Sequence, residues 1–214
     1  MPDSVPPATP RFLQLHALDA PALVAEAVAG LQAKPAALSP KFFYDRLGST
    51  LFDAITELDE YYPTRTEAAI FRDRSREIAE AVQGRLGTGC TMVDLGAADC
   101  AKAAGLFGTI EPAHYVAVDI SVEFLRSAML QLQRQHPAIQ MTGVGLDFSQ
   151  HLQLPPDLAS GPALVFYPGS SIGNFNPQQA LRLLRQAHTL AAGGALLIGV
   201  DLIKSPQRLE AAYD

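Results

Sequence analysis

Thr91-Met92-Val93-Asp94-Leu95-Gly96-Ala97-Ala98-Asp99-Cys100-Ala101-Lys102 is the stretch that decides the fold. A short apolar strand runs into a turn of tiny residues, and a helix leaves on the other side. Gly96 can take backbone angles closed to other residues, and Ala97 and Ala98 let a ligand come close to the main chain. Tyr115-Val116-Ala117-Val118 reads as a second strand that ends at Asp119, 25 residues beyond Asp94. A carboxylate there can accept hydrogen bonds from both hydroxyls of a ribose. Alone, a Gly-Ala-Ala turn is an ordinary tight connection. With the acid behind the next strand it predicts a Rossmann-like half-sheet and a nucleotide-type cofactor.

Downstream, Ser121 is placed to cap a helix carrying Val122, Leu125, Met129 and Leu132, closed by Pro137. Gln140 to Leu146 reads as a third strand, delivering Asp147-Phe148 at its end. A carboxylate and a flat ring together suit an adenine, by accepting from its exocyclic amine and stacking on its face. Asp147 is equally readable as a plain turn residue. The fourth strand, Ala163 to Tyr167, opens into the polar, Gly-rich run Pro168-Gly169-Ser170-Ser171-Ile172-Gly173-Asn174-Phe175-Asn176. Ligands of open parallel sheets sit beyond the carboxyl ends of the strands, so this run is a candidate substrate-facing loop. Asn176 and Pro177 start the next helix, which Gly193-Gly194 ends. The unbroken apolar run Ala195 to Val200 predicts a fifth strand buried on both faces. Ser205-Pro206 opens a final helix toward Asp214.

Upstream, residues 1–11 are Pro-rich and are expected to form a disordered tail. Residues 12–84 read as a helical segment on the substrate side, and residues 85–214 as the Rossmann-like domain. Leu23, Val24, Ala27, Val28 and Leu31 recur at helical spacing between Ala20 and Gln32. Leu51, Phe52 and Ile55 make a second short apolar face. Thr64 and Glu67 fit a capping box for a helix running to about Gln83. Two readings stand for Tyr61 and Tyr62: packing at the helix start, or a hydroxyl facing the site opened by Gly96.

A net charge of −6 without a Lys/Arg block argues against nucleic acid and anionic membrane as partners. No apolar run approaches the ~18 residues of a membrane span. Without a signal pattern behind Met1, a cytoplasmic location is expected. Cys90 and Cys100 lack further ligands at zinc spacing, so free thiols and no metal site are expected.

Two cofactor classes fit such a half-sheet. A nicotinamide dinucleotide wants Gly-x-Gly-x-x-Gly, with its pyrophosphate on the helix N-terminus. Here those positions read Gly96, Ala98 and Ala101, and Asp99 adds negative charge where phosphate would lie. S-adenosylmethionine (SAM) carries no phosphate and presents an ammonium, so it tolerates the acid. The methyltransferase reading is therefore preferred over a nicotinamide oxidoreductase.

Phe43-Tyr44-Asp45, Gly48-Ser49, Leu51-Phe52-Asp53, Glu60-Tyr61-Tyr62-Pro63-Thr64-Arg65-Thr66-Glu67, Gly169-Ser170-Ser171-Ile172-Gly173-Asn174 and Asp201-Leu202-x-Lys204 through Tyr213 carry a family resemblance. Over roughly residues 38–214 the chain resembles the histidine Nα-methyltransferases of ergothioneine biosynthesis. That resemblance implies a class I methyltransferase fold, SAM as donor, and trimethylation of the α-amine of L-histidine to hercynine. By position it implies that Gly96, Lys102, Asp119, Asp147 and Phe148 surround the cofactor. Tyr44, Tyr61, Asn174 and Tyr213 then line the amino acid, with Tyr61 and Asn174 orienting the attacking nitrogen. Lys102 also reads simply as an exposed helix lysine.

The turn departs from the family pattern, with Ala97-Ala98-Asp99 where relatives tend to have Ser-Gly-Thr. Against that family the chain also stops about one-third short, lacking later strands and much of a substrate domain. The expectation is a bare edge on the fifth strand, exposed apolar surface around Leu181, Leu184 and Leu190, and self-association through that edge. Tyr213 is expected to be unanchored. A catalytically silent SAM-binding module is the alternative function.

Overall fold

Side chains of successive strand residues point to opposite faces, and the apolar runs exploit this by feeding two cores at once. On one face lie Met92, Tyr115, Ala117, Met141, Leu164 and Phe166; on the other lie Val93, Leu95, Val116, Val118, Val144, Val165 and Tyr167. Strands buried on both sides need helices on both sides. The computed structural model, which describes residues 9–15, 20–43, 46–120 and 122–213, has that architecture.

Six strands form one parallel sheet: β1 (Arg11–Gln14), β2 (Thr91–Leu95), β3 (His114–Asp119), β4 (Gln140–Gly145), β5 (Ala163–Tyr167) and β6 (Ala195–Ile198), in the order β1-β4-β3-β2-β5-β6. Helices α3 (Tyr62–Leu86), α4 (Ala101–Ile110) and α5 (Val122–Gln135) cover the first face through Ala79, Val82, Leu106, Phe107, Leu125 and Met129. Helix α6 (Pro177–Ala191) covers the second through Leu183, Ala187 and Leu190. Helices α1 (Ala20–Gln32) and α2 (Arg46–Thr56) precede this core, and α7 (Pro206–Tyr213) follows it. β2 neighbours both β3 and β5, so the strand order reverses there and a crevice opens beyond the strand ends. Among the described residues no helix is long and apolar enough to cross a membrane.

The α/β class and five of the strands agree with the sequence reading, as does the start of α6 at Asn176 and Pro177; there Asn176 and Gln179 also bond reciprocally in a capping box. Four expectations are corrected. Residues 11–14, assigned to a tail and a helical segment, form β1 and pair with Thr142–Gly145. The signal was in β4. Side chains at Gly143 and Gly145 would run into Phe12 at 2.8 Å and Gln14 at 2.3 Å, so both positions must stay bare for β1 to dock. Residues 1–8 and Ser121 lie outside the described residues.

Helix α3 starts at Tyr62, before Thr64, and no side chain caps it. Pro63 supplies a first-turn residue that needs no partner for its missing N–H. Thr64 is then inside the helix, which frees Glu67 for other bonds and lets the helix run to Leu86. The β6 strand is only partly buried, with Leu196 exposed, because among the described residues it pairs with β5 alone. Leu181 is exposed as expected, but Leu190 is buried against the sheet. The apolar stripe of α1 is present yet unburied: Val24, Val28 and Leu31 are all exposed.

Candidate active site

Beyond the carboxyl ends of β2 to β5 lies a cleft of about 750 Å³, counting its solvent-filled mouth. Gly96, Ala98, Asp119, Asp147, Phe148 and Asn174 line it, and Lys41 joins them from the N-terminal side. The turn after β2 is held to its neighbour: the amides of Gly96 and Ala97 both donate to the carbonyl of Val118, at 2.8 and 3.2 Å. Gly96 takes φ 75°, which glycine adopts without strain. Ala98, at φ 47°, donates its amide to Oδ2 of Asp119 at 3.0 Å. The acid after β3 thus fixes the turn after β2.

Asp99 turns toward the helix rather than the cleft's ligand side. Its Oδ1 accepts from the amide of Ala101 at 3.0 Å. A carboxylate already occupies the Ala101 amide, one of the first-turn donors of α4, where a pyrophosphate would need to bind. Below the turn, burial raises the Asp94 carboxyl to about 7, against the 2.7 Å hydrogen bond from the Tyr115 phenol. Burial also pushes the Cys100 thiol up to about 12, so it stays a protonated packing group.

Asp147 fits the adenine reading. Its Oδ1 accepts from the amide of Ser149 at 3.1 Å and from the Ser149 hydroxyl. Oδ2 is buried and has no hydrogen-bond partner, with the Lys41 ammonium 3.7 Å away. Burying an acceptor unpaired is costly, so this oxygen suits a ligand N–H. Phe148 stands next to Gly96, whose absent side chain would lie 3.8 Å from the ring. Tyr167 braces that ring edge-on, at 5.9 Å between centroids. An acceptor for an amine, a flat wall and an acid at the turn thus meet in one cleft.

Asn174 closes the 3-10 turn Ser171–Asn174 and is exposed to the same cleft. Tyr61 and Tyr213 come together elsewhere: their rings meet edge-on at 5.7 Å, and Phe52 meets Tyr61 at 6.0 Å. Tyr213 therefore has an anchor, contrary to expectation. Neither tyrosine lines the cleft beside Asn174. Lys102 is not on the cleft wall either; its ammonium pairs with Glu67 at 2.7 Å. Tyr44 lies outside the described residues.

A second polar group ties these parts together; the sequence offered Tyr62 as a possible site hydroxyl but not its partners. The Tyr62 phenol donates to Asp201, whose amide donates to the Ser170 hydroxyl at 2.8 Å. Lys204 pairs with the same carboxylate, and the Arg208 guanidinium lies 4.3 Å over the Tyr62 ring. The bond to Asp201, with burial, raises the Tyr62 phenol to about 12, so it remains a donor. Lys41 also went unread, although a lysine between a proline and three aromatics is an odd choice for a connector. Among the described residues no His/Cys/Asp/Glu group could hold a metal ion.

The family described as histidine-specific, SAM-dependent methyltransferases matches residues 23–214. The histidine N-alpha-methyltransferase of Mycolicibacterium smegmatis is 42% identical over 200 residues, covering 91% of this chain and 60% of that protein. The ergothioneine biosynthesis protein 1 of Neurospora crassa is 29% identical, covering 84% of this chain and 21% of its own length. The chain thus spans well under two-thirds of the length of these relatives. Among solved structures, the SAM-bound magnesium protoporphyrin IX methyltransferase of Synechocystis PCC 6803 shares the fold, with a TM-score of 0.53 at 19% identity over 73% of this chain and 74% of that one. By these matches the chain belongs to the family of SAM-dependent, histidine-specific methyltransferases.

Proposed function

We propose that this chain binds SAM in the cleft beyond β2 to β5 and serves methyl transfer to the α-amine of L-histidine, as a step of ergothioneine biosynthesis that yields hercynine. The observation that carries the reading is the convergence of Gly96, Asp119, Asp147, Phe148 and Asn174 on one cleft. The similarity to histidine N-alpha-methyltransferases supplies the acceptor.

Bound SAM supplies an electrophilic methyl group on a sulfonium. Asp119 would hold the ribose hydroxyls, Asp147 the adenine amine, and Phe148 the adenine face. Lys102, paired with Glu67 at the start of α4, would sit toward the amino-acid end. Asn174 would accept an N–H of the substrate amine and aim its lone pair at the methyl group. Tyr44, Tyr61 and Tyr213 are assigned to the amino-acid side by the family resemblance, although the Tyr61–Tyr213 pair stands outside the lining of the cleft. Such a site works by orientation and exclusion of water. The attacking amine has to be neutral; we assign its proton to water, since among the described residues no side chain on the cleft wall is placed as a dedicated base. A cytoplasmic setting belongs to this reading, in keeping with two buried free thiols.

The test is a mass-spectrometric assay with SAM and each of the twenty amino acids. Mono-, di- and trimethylhistidine are the expected products. Tight donor binding with no methylated amino acid would favour a silent SAM-binding module instead.

A further inference from the structure

Glu67 lies in the Thr-Arg-Thr-Glu run that the sequence suggested for helix capping, yet its carboxylate points out of α3 to three other segments. Its Oε1 accepts from the amide of Gly169 at 2.7 Å. Its Oε2 stands 2.7 Å from the Lys102 ammonium, in the first turn of α4. The third segment is Gly199, after β6, where a side chain would come within 2.2 Å of Oε1. Gly199 is bare because the Glu67 carboxylate fills that space. Gly169 shows the same economy at φ 83°: a side chain there would lie 3.1 Å from the Lys102 ammonium. Glu67 itself is largely buried, with 14% of its side chain exposed.

This single carboxylate joins the helix that leaves the donor turn to the loop that presents the acceptor side. The loop begins at Gly169 and carries Ser171, Asn174 and Phe175 into the cleft. Ser170 is held from the other side by the amide of Asp201, so Glu67 and Asp201 grip neighbouring residues of one loop. The only backbone donor Glu67 takes from that loop is at its first residue, where a left-handed glycine sets the loop's direction.

We propose that Glu67 is a positioning residue for the acceptor side: its bond to the Gly169 amide sets where the Gly169–Asn174 loop stands relative to the donor turn. The proposal rests on the histidine-methylation reading only for what the loop presents. The reach of the side chain, rather than its charge, is then the critical property, because the amide bond needs an acceptor at that distance. Glu67→Gln keeps the reach and an acceptor oxygen but loses the ion pair with Lys102. Glu67→Asp keeps the charge but draws it back by one methylene.

The experiment compares both variants with the unaltered chain by amide hydrogen exchange at Gly169, by calorimetric titration with S-adenosylhomocysteine, and by histidine methylation kinetics. Glu67→Asp is expected to speed exchange at Gly169 at least tenfold and to raise KM for histidine about tenfold. Glu67→Gln should stay within about twofold on both, and S-adenosylhomocysteine affinity should stay within about threefold throughout. The reverse order, with Gln impaired and Asp spared, would overturn the proposal in favour of charge acting through Lys102. Equal effects of the two variants, or none, would overturn it as well. Should Glu67→Asp fail to fold, Glu67→Gln alone decides: retained exchange and KM support the proposal, and their loss overturns it. Exchange and titration need no turnover, so an unaltered chain that methylates no histidine would sink the proposed function while leaving this comparison intact.

Discussion

The carboxylate of Asp119 holds the amide of Ala98, 21 residues earlier, in the left-handed region of backbone space. An alanine there costs roughly 1–2 kcal/mol, so the turn after β2 keeps its shape partly through the acid after β3. On the proposed SAM reading, Asp119→Ala removes a ribose acceptor and loosens the turn together. Donor affinity should fall by about 1.5–3 kcal/mol, read by calorimetry. Unchanged affinity in a folded variant would leave Asp119 a structural acid only.

Asp94 gives a pH signature. Burial lifts its folded-state carboxyl to about 7, well above the ~3.9 of an unfolded aspartate. The folded protein thus holds a proton that the unfolded chain releases between those values. Its contribution to stability is full below about pH 4 and is lost as pH rises through about 7, by at most ~1.4 kcal/mol per pH unit. Asp94→Asn keeps an acceptor for the Tyr115 phenol and cannot ionise. Urea titrations should show the two proteins alike near pH 4 and the variant more stable at pH 8. An unaltered slope of stability against pH would mean that Asp94 is not the group responsible.

Asn174→Ala separates chemistry from donor binding. Asn174 lies in the loop beyond β5, while Asp119 ends β3 and Asp147 follows β4. The variant should lose far more methyl transfer than donor affinity, on the order of a hundredfold against a few-fold. Single-turnover rates and titrations on the same preparation measure both. Collapse of donor affinity with normal turnover would move Asn174 to the cofactor side.

Tyr62→Phe tests the fastening of α7. The phenol reaches Asp201 across 139 residues, and its ring carries Arg208 of α7. Loss of the hydroxyl removes a charge-assisted bond, worth roughly 1.5–3 kcal/mol. Limited proteolysis should then cut between β6 and α7 more readily than in the unaltered chain. Equal resistance would show that the rings and ion pair suffice.

The elements written in strong periodicity were legible: β2, β3, β4, β5 and α6, together with the acids that end β3 and β4. Each of these owes its place to residues within its own window. The misread parts depend on distant partners. β1 is four residues whose only large signal is the pair of bare glycines on β4. Thr64 and Glu67 have the spacing of a capping box, but Pro63 starts the helix earlier and Gly169 takes the carboxylate. Ala195 to Val200 looks like an interior strand because residue type reports hydrophobicity and not neighbours; burial falls short where the pairing ends. In the cleft, Asp147 was readable from its strand, whereas Lys41 reaches it from more than a hundred residues away.

The pairing of Arg11–Gln14 with Thr142–Gly145 has a consequence for how the chain is made. Strand β1 can find its partner only after roughly 130 further residues have been synthesised, and closing so long a loop is entropically costly. β3 and β4, by contrast, are joined by one helix and can pair as soon as both emerge. The sheet can therefore start from β3 and β4, and β1 waits for β4 before it can join the edge.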